Sequence, residues 1–175
     1  MNLHDNFRYK RFGIINFVNL SGIDIDMIRV WRNNPEIRKW MFNKNIISKQ
    51  EHISFIDKLK RDKNNIYWLI KDKFDRPLGV ISLKDINYKK SQAYIGIYKS
   101  PLKYKYLFGL GRKLLDLLIY IASKKLGLKI LLAQVYGDNI KAVNLYKKAG
   151  FKVANMRKNI VIMSLEKDIN TKYGH

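Results

Sequence analysis

The sequence predicts an α/β fold, a mixed α+β sheet with helices on its faces, on three observations. Short apolar runs of strand length alternate with stretches whose apolar residues recur at helical spacing. The helical stretches carry punctuation: Ser48-Lys49-Gln50-Glu51 is a capping box, and Gly127 and Gly150 are stops. Three strand-like segments then follow one another in a meander, after which helices and strands take turns.

In chain order, residues 14–20 read as a first strand, followed by a helix over 24–32 with Ile25, Ile28, Val30 and Trp31 among its apolar positions. Asn33-Asn34-Pro35 breaks that helix. The capping box opens a second helix, which buries Ile53, Phe55, Ile56 and Leu59 and ends near Asp62. The meander comprises 66–71, 78–86 after the turn at Phe74-Asp75-Arg76-Pro77, and 93–98. A long helix over Leu114, Leu115, Leu117, Leu118, Ile121 and Ala122 begins just after Gly109-Leu110-Gly111 and stops at Gly127. Residues 130–136 form a strand, and 137–151 (GDNIKAVNLYKKAGF) a short capped helix that Gly150 ends before Phe151 opens an extended run. A hairpin over 151–157 and 160–165 closes the sheet, so the predicted order is β-α-α-β-β-β-α-β-α-β-β. Residues 1–167 are expected to form one domain and 168–175 a tail without apolar pattern.

Composition narrows the chemistry. The 175 residues, 47% hydrophobic, suffice for one core. No Cys is present, so disulfides, thiolate metal sites and an acyl-cysteine intermediate are excluded. The three His are scattered rather than set at ligand spacing, and no metal is expected. The longest greasy stretch, 114–122, is short and interrupted by Asp116, which predicts a cytoplasmic protein with no membrane partner. A net charge of +21 favours anionic ligands. The basic residues are spread along the whole chain, beside many Asn and Ile, and no nucleic-acid-reading motif is visible. A basic nucleic-acid-binding domain is therefore the non-enzyme alternative, and no specific nucleic acid is expected.

Asn139, Ala142, Leu145, Tyr146, Gly150 and Phe151 fill the pattern Asn-x-x-Ala-x-x-Leu-Tyr-x-x-x-Gly-Phe. With Gly109-x-Gly111 at the head of the long helix, the chain resembles the GCN5-related N-acetyltransferases (GNAT). That likeness implies the acyl-CoA N-acyltransferase fold, with acetyl-CoA as cosubstrate. It places Leu107, Phe108, Gly109, Leu110, Gly111 and Arg112 around the pyrophosphate, where unpaired helix N–H groups suit a diphosphate. Tyr106 departs from the usual Arg or Gln, and Lys103, Lys105, Arg112 and Lys113 bracket the loop with charge. The resemblance further assigns Asn139 and Ala142 to the coenzyme and the backbone of Ile95 and Ile97 to the thioester, which lies where two strands splay. It makes Tyr146 the general acid toward sulfur; the other reading of Tyr146 is a packing aromatic. Many relatives use a Glu base on a central strand, but 130–136 offers Gln134 and no carboxylate. Ser82 is read either as a proton acceptor through water or as a small residue bonded to backbone.

The segment Trp31-Arg32-Asn33-Asn34-Pro35-Glu36-Ile37 and the downstream Met41 resemble the bacterial branch that acetylates the 4-amino group of a UDP-linked dideoxy aminosugar on the route to pseudaminic acid. The likeness extends through 47–56, 78–82 and 94–101. Such an acceptor needs cations for its diphosphate and an apolar shelf. Arg32, His52 and Lys84 are the expected charged or nucleotide contacts, and Trp40, Met41 and Tyr94 the shelf. Arg32 as a helix cap, His52 as a surface residue and Trp40 as core are the competing readings. A protein N-terminus or another small amine is the alternative acceptor. The oligomeric state is open, with a homodimer among the possibilities.

Overall fold

The computed structural model describes residues 4–102 and 108–166. Eight strands form one sheet: β1 (Phe7–Tyr9), β2 (Phe12–Asn16), β3 (Ile66–Lys71), β4 (Pro77–Asn87), β5 (Gln92–Lys99), β6 (Ile130–Tyr136), β7 (Lys152–Arg157) and β8 (Ile160–Glu166), in the order β1-β2-β3-β4-β5-β6-β8-β7. Neighbours are antiparallel except β5 and β6, which run parallel because α4 (Leu110–Tyr120) crosses over between them. The other helices are α1 (Gly22–Asn33), α2 (Pro35–Arg38), α3 (Lys49–Leu59) and α5 (Ile140–Lys148).

Alternation along the strands sends side chains to two cores. Ile66, Trp68, Ile70, Ile81, Leu83, Ile95, Leu131, Ala133 and Met163 face α4, whose Leu114, Leu115 and Leu118 are fully buried against them. Leu69 and Val80 face the other way, against Ile28 and Trp31 of α1 and Ile56 and Leu59 of α3. The helices expected to border the coenzyme thus pack on one face of the sheet, and those expected to border the acceptor on the other.

Several expectations needed correction. Residues 17–20 are not strand: after Asn16 the chain turns into a 3-10 helix over Phe17–Asn19, because the Asn16 side chain accepts from the Val18 N–H at 3.1 Å. β1 was not foreseen, since three residues show no period and its turn uses Lys10 at φ 52°, a conformation lysine does not advertise. Asn34 and Pro35 do more than break α1. Asn34 caps Glu36 N–H and Pro35 stands at the first position of α2. The capping box at Ser48 forms in both directions, with Ser48 N–H donating to Glu51 at 2.7 Å and Glu51 N–H to Ser48 Oγ at 3.2 Å. The long helix ends in a π turn over Ile121–Lys125, stopped by Gly127 at φ 67°. The expected tail, 168–175, lies outside the described residues.

Candidate active site

The site begins as a defect in the sheet. β5 and β6 pair only from Gln92 opposite Ile130 to Ile95 opposite Ala133. Beyond that point β5 continues to Lys99 against β4, and β6 to Tyr136 against β8, with no ladder between them. The two halves of the sheet therefore splay. Gly96 and Ile97 stand at the apex, directly past the last pair, where β5 loses its β6 partner; Ile95, expected at the thioester with Ile97, is still paired opposite Ala133.

On one side of the splay lie α4 and α5. Gly109 caps α4 at φ 71° and makes no side-chain capping bond to it. Phe108 is exposed, Leu110 is buried, and Leu107 lies outside the described residues, as do Lys103, Lys105 and Tyr106. Arg112 does not wait for phosphate alone: it donates to Asp116 at 2.8 Å and to the Lys148 carbonyl at 2.8 Å, clasping α4 to the end of α5. Gly111 faces α5 at that contact, and a Cβ there would meet Leu145 Cδ2 at 3.6 Å, an ordinary van der Waals distance. Asn139 caps α5 by accepting from Ala142 N–H at 3.2 Å. Tyr146 is 4% exposed and packs edge-on against Phe151, centroids 5.2 Å apart. Burial pushes its phenol well above the ordinary range, so the hydroxyl stays protonated at any working pH.

The opposite face carries Tyr67 of β3, Ser82 and Lys84 of β4, and Tyr94, Gly96 and Tyr98 of β5, brought together by the pairs Tyr67–Ser82, Ser82–Gly96, Lys84–Tyr94 and Val80–Tyr98. Ser82 Oγ donates to the Gly96 carbonyl at 3.4 Å. Burial drives the Tyr67 phenol up to about 12 and that of Tyr98 up as well, leaving two protonated hydroxyls on this face. The segment after α2 crosses it. Arg32 donates to the Asn43 carbonyl, Asn33 bonds Ile47 at both N–H and carbonyl, 2.8 Å each, and Phe42 meets Tyr136 at the far end of β6, centroids 5.3 Å apart. Lys44 Nζ sits 4.9 Å over the Tyr136 ring. Trp40 is 36% exposed and Met41 is half-buried on the same segment.

Arg32 keeps donors in reserve: its Nη1 is buried with no partner, and burial lowers its pKa. His52 lies elsewhere. It is 4% exposed between α3 and α1, stacked near Phe55, with Nε2 unbonded. Burial and then Arg29 depress its pKa, while Asp26 opposes them. The unfolded chain, with an imidazole near about 6.5, therefore binds more protons in the window below that value. Stability is full above it and falls as pH drops toward the folded pKa. Denaturant midpoints should decline from neutral to mildly acid pH in the native protein, and that decline should flatten in His52→Gln; an equal decline in both would remove His52 as its source.

Local motifs marked the coenzyme side. Asn33, Phe42, Lys44, Tyr67, Tyr98 and Tyr136 were missed; strand alternation places Tyr67 and Tyr98 on the acceptor face, but the Phe42–Tyr136 contact spans distant sequence and has no local signal. Among the described residues no cluster of three or more His, Cys, Asp or Glu could hold a metal ion, and no helix is long and apolar enough to cross a membrane.

Comparison with known proteins bears on this geometry. Residues 18–164 match the family model described as acetyltransferase (GNAT) domain. Acetyltransferase PseH of Campylobacter jejuni is 32% identical over 151 residues, covering 86% of this chain and 91% of that protein. The crystal structure of Campylobacter jejuni N-acetyltransferase PseH in complex with acetyl coenzyme A superposes with a TM-score of 0.73 at 26% identity, covering 90% of this chain and 99% of the other. A spermidine N-acetyltransferase from Vibrio cholerae in complex with CoA and spermine has a TM-score of 0.76 at 22% identity, covering 89% and 95%, a likeness of fold.

Proposed function

The chain belongs to the acetyltransferase (GNAT) domain family and is an acetyl-CoA-dependent N-acetyltransferase, and from that premise we propose that it acetylates the 4-amino group of a UDP-linked dideoxy aminosugar. The observation that carries the acceptor class is the charge of the acceptor face. Arg32, Arg38 and Lys44 lie along it, and two carboxylates of the flanking helices are engaged: Glu36 by Lys39 at 2.7 Å, Asp26 by Lys49 at 3.0 Å and Arg29 at 3.6 Å. A polyamine would meet repulsion there; a diphosphate would meet cations. Trp40, Phe42, Met41, Tyr94 and Tyr136 supply aromatic and apolar area for a uracil or a sugar methyl face.

In this reading the coenzyme's diphosphate rests on the N–H groups at the head of α4, and its thioester enters the splay beside Ile97, whose backbone polarises the carbonyl. The acceptor comes from the α1/α3 face. Its amine attacks directly, since no cysteine exists to carry the acetyl group, and Tyr146 donates to the departing sulfur.

The reading is tested by comparing kcat/KM, as thiol release, for UDP-aminosugars, spermidine and N-terminal peptides. The UDP-sugar should lead by at least an order of magnitude. Preference for spermidine would refute the acceptor assignment. On the coenzyme side, Gly109→Val should raise the acetyl-CoA dissociation constant at least tenfold, because valine is strained at φ 71° and overhangs the free amides. Calorimetry showing undiminished binding would mean the diphosphate sits elsewhere.

A further inference from the structure

We propose that Lys84 is the general base that takes the proton from the incoming amine. This rests on the transfer reaction proposed above but not on which sugar is used. An alkyl amine arrives largely as an ammonium ion, and an ammonium has no lone pair for the thioester carbonyl. The β6 position that would carry a base offers the exposed amide of Gln134; Glu36 and Asp26 are bonded to lysine or arginine, Asp62 is taken up by Asn64 and Asn65, and Asp85 is exposed.

Lys84 is directed at the apex of the splay. A Cβ built on Gly96 would stand 2.6 Å from Ser82 Oγ and 3.8 Å from Lys84 Cε, so the glycine leaves a recess that both side chains border. Gly96 is also the first residue of β5 without a β6 partner. The lysine therefore runs along β4 toward the thioester position rather than out to solvent.

A built irregularity holds it so. The β4–β5 register slips between Lys84 and Asn87, and Asp85 adopts φ 50°, a conformation disfavoured for any residue with a side chain. The turn before β3 clamps this bulge: Asp85 N–H donates to Asn65 at 3.1 Å and Ile86 N–H to the Asn64 carbonyl at 2.9 Å. Asp62 in turn accepts from Asn64 and Asn65 N–H and from the Asn65 amide. Bulges of this kind aim side chains beside active sites, and backbone strain gathers there.

The surroundings suit a neutral amine. Burial lowers the Lys84 pKa, opposed by Asp85 alone. The other titratable groups facing it are phenols, Tyr94 opposite on β5 and Tyr67 on β3, while Arg32 of α1 lies toward Tyr67 and Tyr98. No carboxylate on these elements forms an ion pair with Lys84 among the described residues.

The protons then balance. The Lys84 lone pair takes one proton from the ammonium, directly or through a water on Ser82 Oγ. The freed amine forms the C–N bond, and the C–S electron pair leaves with sulfur. The Tyr146 hydroxyl gives sulfur its proton and is restored by the second nitrogen proton. Lys84 finally releases its proton to solvent, one per turnover.

Two measurements test this. Lys84→Arg is a permanent cation with no usable lone pair, and Lys84→Met has neither charge nor lone pair; each should lower kcat about a hundredfold at neutral pH and leave acetyl-CoA binding unchanged by calorimetry. Trace acetic-anhydride labelling across pH, read by peptide mass spectrometry on the native protein without substrate, should modify Lys84 at lower pH than ordinary exposed lysines. A Lys84→Arg enzyme of native kcat, or labelling of Lys84 in step with exposed lysines, would overturn the proposal. Should the native enzyme ignore every UDP-aminosugar, the acceptor reading falls, while the labelling still decides Lys84.

Discussion

Tyr146→Phe is expected to lower kcat by about 10²–10³, the usual cost of removing one donor aimed at developing charge, with acetyl-CoA affinity held within a small factor. The ring is 4% exposed and wedged against Phe151, and phenylalanine keeps that packing. The lost group is the hydroxyl, which has no ion or carboxylate beside it and whose pKa burial alone raises. A phenol so raised is a weaker acid than a thiol. In the proposed reaction it therefore hydrogen-bonds the sulfur as the C–S bond breaks, and passes its proton on only as the second nitrogen proton replaces it. Because the phenol stays protonated, it should add no limb to the pH–rate profile. Single-turnover kinetics isolate the step, and native chemistry in the variant would return Tyr146 to a packing role.

Arg32→Ala should raise the KM of a UDP-linked acceptor at least tenfold, on the ~1.5–3 kcal/mol typical of a charged hydrogen bond, and leave acetyl-CoA binding alone. In the proposed arrangement the two ligands meet the splay from opposite faces, so the coenzyme should not sense the change. Arg32 also ties the Asn43 carbonyl, so the segment carrying Trp40 and Phe42 is loosened as well. A nucleotide-free aminosugar separates the effects. If its KM suffers equally, the arginine shapes the segment and does not bind phosphate. A lowered melting temperature with intact kinetics would assign it to the stability of α1.

What the sequence disclosed and what it withheld follow one physical division. β3 and β6 were read to their ends, and α3 from its capping box, because local patterns specify them. The turns expected to border the coenzyme were legible for the same reason: Gly109, Asn139 and Gly150 act locally, at φ 71° and 95° for the two glycines and by a cap for Asn139. The acceptor side depends on contacts between distant residues. Phe42 on Tyr136 and Arg32 on Asn43 cannot be found by periodicity, and His52, expected at the phosphate or nucleotide with a first-turn surface residue as the competing reading, is buried. The aim of Lys84 was hidden most completely, since it follows from a bulge at Asp85 whose positive φ no glycine announces. The splay itself is a missing ladder, and sequence patterns record ladders poorly.

The central claim is direct acetyl transfer to a nucleotide-linked aminosugar, and product analysis tests it most directly. The protein is mixed with acetyl-CoA and UDP-4-amino-4,6-dideoxy-N-acetyl-β-L-altrosamine, and the product is examined by long-range carbon–proton NMR while released thiol is counted. The account predicts a correlation between the new acetyl carbonyl and the sugar's H4, one thiol per acetylated sugar, and no acetyl group on the protein. Thiol release with an unmodified sugar, or an acetylated protein that forms first and then delivers its acetyl group, would contradict it.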